Sequence, residues 1–146
     1  MIALGTLAAL GGTLVAAVID ARTGLIPDML TRTTALAALA CAVANGAAPF
    51  ACGGAYAVGG SLLVLHLLTR GRGLGLGDVK LGTAIGAGFG PSAGIVVVGA
   101  AFVLGGTYAS WLLLTRRARR HDAIRFGPFL AAGTVAGAFF PAAVIA

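Results

Sequence analysis

The chain has 146 residues, of which 59% are hydrophobic and 10% charged, and its mean hydropathy is +1.02. A water-soluble domain of this size needs far more polar surface, so the composition excludes a soluble enzyme and marks an integral membrane protein. The net charge of +6 does not indicate nucleic acid. The basic residues sit at the ends of apolar runs, where Lys and Arg mark a cytoplasmic face and meet anionic lipid.

Residues 2–19 form the first apolar run. No positive charge precedes it and Arg22 follows it, so it reads as a retained span with its N-terminus outside rather than a signal peptide. A charged cluster comes next: Asp20, Arg22, Asp28 and Arg32. Residues 33–69 carry no charge and are too long for one span, but suffice for two short helices. The breaker-rich stretch Asn45-Gly46-Ala47-Ala48-Pro49 supplies the turn between them. Arg70, Arg72, Asp78 and Lys80 form the second cluster. Residues 81–115 again read as two helices, broken at Gly88-Phe89-Gly90-Pro91-Ser92. The third cluster holds Arg116, Arg117, Arg119, Arg120, Asp122 and Arg125, and residues 126–146 make a last span.

This pattern predicts a single all-α domain over 1–146, a polytopic membrane protein with six transmembrane helices. The three charged loops lie on the cytoplasmic side, and both uncharged turns and both termini lie outside. Apolar residues run continuously rather than alternating, which excludes a β-barrel. The fourth span is short. From Asp78 to Gly90 a helix covers roughly 20 Å at ~1.5 Å per residue, against a hydrocarbon core of about 30 Å. Either it kinks on through Pro91, or it is short and draws Asp78 toward the membrane. Gly82, Gly86 and Gly90, like Gly133 and Gly137, are spaced at four and offer smooth faces for close helix packing.

The chemistry points to Asp20 and Asp78. Each stands where an apolar span meets a charged loop, a costly place for an acid without a function. In Asp20-Ala21-Arg22-Thr23-Gly24-Leu25-Ile26-Pro27-Asp28, Gly24 and Pro27 end the helix and turn the chain. In Gly75-Leu76-Gly77-Asp78-Val79-Lys80, Asp78 starts the next helix, and Gly73, Gly75 and Gly77 give the loop backbone freedom. Two carboxylates a few ångströms apart share one proton. One then acts as base on a water while the other, protonated, polarises a peptide carbonyl. That chemistry needs neither a metal nor an organic cofactor. The bland alternatives are an N-cap role for Asp78 and a surface pair of Asp20 with Arg22.

Other residues are weaker candidates. Asp28 reads as an N-cap or a solvated loop residue. Lys80 either snorkels to the interface or holds Asp78 ionised. Arg22 either orients Asp20 or marks the cytoplasmic face. Cys41 and Cys52 form no C-x-x-C pair and read as packing residues. His66 and His121 have no ligand cluster around them, so no metal site is expected.

The two aspartate motifs resemble those of the prepilin peptidases, intramembrane aspartic proteases that process type IV prepilins and related pseudopilins. Asp20, Arg22, Ile26 and Pro27 match a family pattern Asp-x-Arg-x-x-x-Ile-Pro-Asn, with Asp28 in place of Asn. Gly75, Gly77, Asp78 and Lys80 match Gly-x-Gly-Asp-x-Lys in full. Phe126-Gly127-Pro128-Phe129-Leu130-Ala131 resembles the opening of the family's last helix, with Arg125 where Pro is common.

The resemblance implies catalytic Asp20 and Asp78, supported by Gly75, Gly77, Lys80 and Arg22. It implies a substrate with a basic leader and a hydrophobic N-terminal helix, cut after a glycine at the cytoplasmic face of the inner membrane. The chain has no paired C-x-x-C motifs, so a peptidase-only form without a methyltransferase portion is expected. Two alternatives are a small proton- or ion-coupled transporter using Asp20 and Asp78 as relay groups, and a presenilin-like protease. Against the second, Ile19 stands before Asp20 where that group has Tyr.

Overall fold

The computed structural model describes residues 4–71, 73–117 and 125–139. They form six helices: α1 (Leu4–Thr23), α2 (Asp28–Ala44), α3 (Ala48–Leu68), α4 (Leu76–Phe89), α5 (Pro91–Leu114) and α6 (Gly127–Phe139). Among the described residues there is no strand. Three helices, α1, α3 and α5, are long and apolar enough to cross a membrane. Of the third charged cluster, Arg119, Arg120 and Asp122 lie outside the described residues, as do Arg72 of the second and His121.

The chain turns where its sequence breaks. α1 ends at Gly24, whose φ of 70° is a left-handed conformation that side chains resist, and whose N–H bonds back to the Asp20 carbonyl at 2.8 Å. The α2–α3 turn falls at Asn45 to Ala47. Between α4 and α5 the chain does not kink through. Gly90 alone separates the two, at φ 82° and ψ −179°, a region essentially open only to glycine, and Pro91 starts the next helix. The fourth helix is therefore the short one of the two possibilities.

Its shortness is explained by where it lies. α4 packs against α1, α2, α3 and α5. Its buried residues, among them Val79, Leu81, Ala84, Ile85 and Phe89, surround the helix instead of marking one stripe. A helix apolar on all sides and covered by other helices has no bilayer thickness to match. Leu81 and Ile85 are fully buried, with Val58 of α3 and Leu130 of α6, and form the centre of the core.

Helices approach closely at several of the glycines. Gly54 of α3 and Gly86 of α4 meet backbone to backbone: a Cβ on either would enter the other's carbonyl. Gly82 receives Leu62, and Gly133 lies against the Val97 carbonyl of α5. The glycines spaced at four thus serve as the smooth faces that their pattern suggests. Buried hydroxyls are satisfied within their own helices. Thr13 donates to the Ala9 carbonyl, and Thr134 to the Ala131 carbonyl at 2.8 Å. Such back-bonding lets a polar side chain sit in an apolar bundle.

Candidate active site

Asp20 lies in the last turn of α1 and Asp78 in the first turn of α4, and both face one cleft of about 720 Å³. The cleft is walled by the glycine loop before α4 (Gly71, Gly73, Leu74 and Gly75), by Phe102 and Gly106 of α5, and by Arg125 and Phe126 ahead of α6.

Each carboxylate meets a helix N-terminus, where free amides and the helix dipole favour negative charge. Asp78 accepts a hydrogen bond at 3.3 Å from the N–H of Gly75, the residue that opens its own helix. Gly75 has no side chain to reciprocate, so this is half of a capping box. Asp20 is 6% exposed and accepts from the N–H of Gly127, at the start of α6, at 3.0 Å. Gly127 could not be larger: a Cβ there would lie 2.7 Å from Asp20 Oδ2 and 2.9 Å from Asp20 Cβ. Arg125, two residues earlier, donates to the Ala21 carbonyl, so the lead-in to α6 grips the end of α1 at two points.

The two aspartate motifs also touch. Ile26 packs on Gly77, where a Cβ would sit 3.1 Å from the Ile26 Cβ. This corrects the expected role of the loop glycines. Positive φ falls at Gly71, whereas Gly75 is extended at φ −73°. Gly77 serves close approach rather than backbone freedom.

The remaining sequence candidates separate. Lys80 turns away from the cleft and pairs with Asp28 at 2.6 Å, joining the starts of α4 and α2. Arg32 adds a looser contact with Asp28 at 3.7 Å. Asp28 follows the capping residue Pro27, so it is the first residue of α2 rather than its N-cap. It lies on the exposed rim, outside the apolar run that begins beyond Arg32. There the Lys80 hydrogen bond and charge hold its carboxyl below the usual carboxylate range. Arg22 is exposed, and among the described residues it forms no ion pair; the hydrogen bond to Asp20 comes from Gly127 instead.

Two contributors were not singled out from sequence. Gly127 and Arg125 stand 107 and 104 residues from the groups they bind, and only the Phe-Gly-Pro segment hinted at them. His66, near the end of α3, bonds through Nδ1 to the Leu74 carbonyl at 2.7 Å, and its ring lies beside Gly71. It therefore ties the glycine loop to α3.

Fold and cleft together define a helical membrane bundle that presents two aspartates to one cavity. Residues 7–110 match the model of the type IV leader peptidase family, and the chain belongs to that family. It is 38% identical over 131 residues to the prepilin leader peptidase/N-methyltransferase of Burkholderia pseudomallei strains 1026b and K96243. The match covers 84% of this chain and 41% of each relative, so the chain spans about two fifths of their length. No solved structure matches it.

Proposed function

We propose that the chain is an intramembrane aspartic endopeptidase that removes the leader from type IV prepilin-like precursors. The observation that carries this reading is the cleft faced by both Asp20 and Asp78. One carboxylate takes a proton from a water, and the resulting hydroxide adds to the scissile carbonyl. The other, protonated, donates to the carbonyl oxygen as negative charge develops there. Collapse of the tetrahedral intermediate breaks the C–N bond, and the proton taken from water passes to the leaving amine. The loop amides and Arg125 supply further donors at the cleft wall.

The charge pattern supports six spans with Arg125 and the helix ends that bear Asp20 and Asp78 at the cytoplasmic face of the inner membrane. α4, at 14 residues, is the span covered by its neighbours within the bundle. A precursor with a basic leader and an apolar helix then meets the dyad where water is available. The test is direct: the chain in proteoliposomes with a prepilin-like precursor releases the leader, and a product of unchanged mass overturns the reading.

Two consequences concern the supports. Gly127→Ala places a methyl against Asp20. Because an ~1 Å misplacement of a reacting group costs about a hundredfold in rate, cleavage is expected to fall about that far, with stability lowered by about the 1–3 kcal/mol typical of overpacking. Rates and melting curves in detergent check it. His66→Ala releases the glycine loop. Loss of a hydrogen bond worth about 1 kcal/mol lowers turnover by roughly three- to tenfold. His66→Asn, whose amide reaches the same carbonyl, restores most of it; equal losses in the two variants would show that the ring merely fills space.

A further inference from the structure

A second cavity, of about 400 Å³, lies between α3 and α5 and is almost wholly apolar. Phe102 lines both this groove and the aspartate cleft, so the two cavities adjoin at its ring. On α5 the residues Ile95, Gly99, Phe102 and Gly106 succeed one another at spacings of four, three and four, which keeps them on one helical face. Its upper part lines the groove and its lower part the cleft. A Cβ on Gly99 or Gly106 would meet no atom within 4 Å.

The other edge of α5 is closed. Gly105 is covered by Phe126 and Phe129, Phe102 packs at a tilt on Phe126 with ring centroids 4.7 Å apart, and Tyr108 meets Phe129 at 5.5 Å. This aromatic cluster seals the seam between α5 and α6. α1 is fastened to the start of α6 through Asp20 and Gly127. The open approach to the cleft from within the membrane is therefore the α3 side.

We infer that the apolar helix of the precursor seats in the α3–α5 groove, on the α5 face marked by Gly99 and Gly106. This inference rests on the peptidase reading above. It follows from continuity: a chain cut in the polar cleft and continuing as an apolar helix must leave into an apolar channel, and this one adjoins at Phe102. An acyl chain would also fill a greasy groove. Bare glycines, however, favour a helix, because they let its backbone approach closely, and that approach is what drives association in a bilayer. The size of the residue at 99 then sets which precursor helices are accepted.

The test uses the full chain in liposomes and two substrates, a precursor with its apolar helix and a soluble peptide covering only the leader junction. Gly99→Leu enters open space and strengthens the helix, so the bundle persists. It is expected to lower kcat/KM for the precursor by roughly tenfold or more, chiefly through KM, and to leave peptide cleavage unchanged. Gly60→Leu, also in open space but on α3 away from the groove, should change neither. Equal loss on both substrates, or no loss on the precursor, overturns the inference. A photocrosslinker on Gly99→Cys, with Cys41→Ala and Cys52→Ala, is expected to label the precursor helix. Labelling of lipid alone overturns it, and this arm decides the matter if the peptide proves too poor a substrate. Wild-type chain that cleaves neither substrate would end the peptidase reading itself, a separate failure.

Discussion

Asp20→Asn and Asp78→Asn are each expected to abolish leader cleavage, by at least ~10³-fold, while the helix bundle stays folded. Asparagine has nearly the shape of aspartate and keeps an oxygen to accept from Gly127 or Gly75. It can neither take a proton from water nor share one with its partner. A positioned general acid or base contributes about 10²–10⁴-fold. Residues that act as a unit lose most of that together, so the double variant should be little worse than either single one. Precursor cleavage in proteoliposomes measures the loss, and helical circular dichroism with a melting curve confirms folding. Undiminished processing by either single variant would refute the dyad. A transporter using the same acids as relays would instead show proton flux that the two substitutions remove, without any cleavage to lose.

Gly86→Val is expected to prevent folding of the bundle. Overpacking a tight core usually costs about 1–3 kcal/mol, because side chains give way. Here the obstacle is the Gly54 carbonyl with the Gly54 backbone behind it, so no side chain is available to move. α3 and α4 must separate, which uncovers Leu81, Ile85 and Val58, all fully buried. Gly60→Val, on the same helix as Gly54 but facing open space, should leave stability within the usual range for surface substitutions. Size-exclusion profiles and thermal melts in one detergent compare the two. A well-folded Gly86→Val protein would show that the helix crossing is looser than described.

Much of the architecture was legible because membrane sequences punctuate themselves. Asn45-Gly46 and Gly90-Pro91 each break a long apolar run, and helix ends fall at both. The glycines at four-residue spacing identified the tight faces in advance. What sequence left open at the fourth span was settled by one backbone conformation, that of Gly90. Of the candidate site, Asp20 and Asp78 stood out because acids are rare and costly at the ends of apolar runs. Their supports did not. Lys80 is two residues from Asp78 in sequence, yet the helix turns it outward to Asp28. Gly127 bears no charge and belongs to the last helix, so nothing local announces that its amide meets Asp20. Contacts between distant segments follow from packing, and spacing along the chain does not encode them.

The two aspartates differ in when their anchors exist. Asp78 is held by an amide three residues away, so its setting forms as soon as its own helix does. Asp20 is held by an amide 107 residues downstream. During synthesis both acids are made well before Gly127. The growing chain is then a bundle with both acids present but one still unfastened. Arrival of α6 completes the cleft, so the proposed dyad is assembled only after the helices around it have been made.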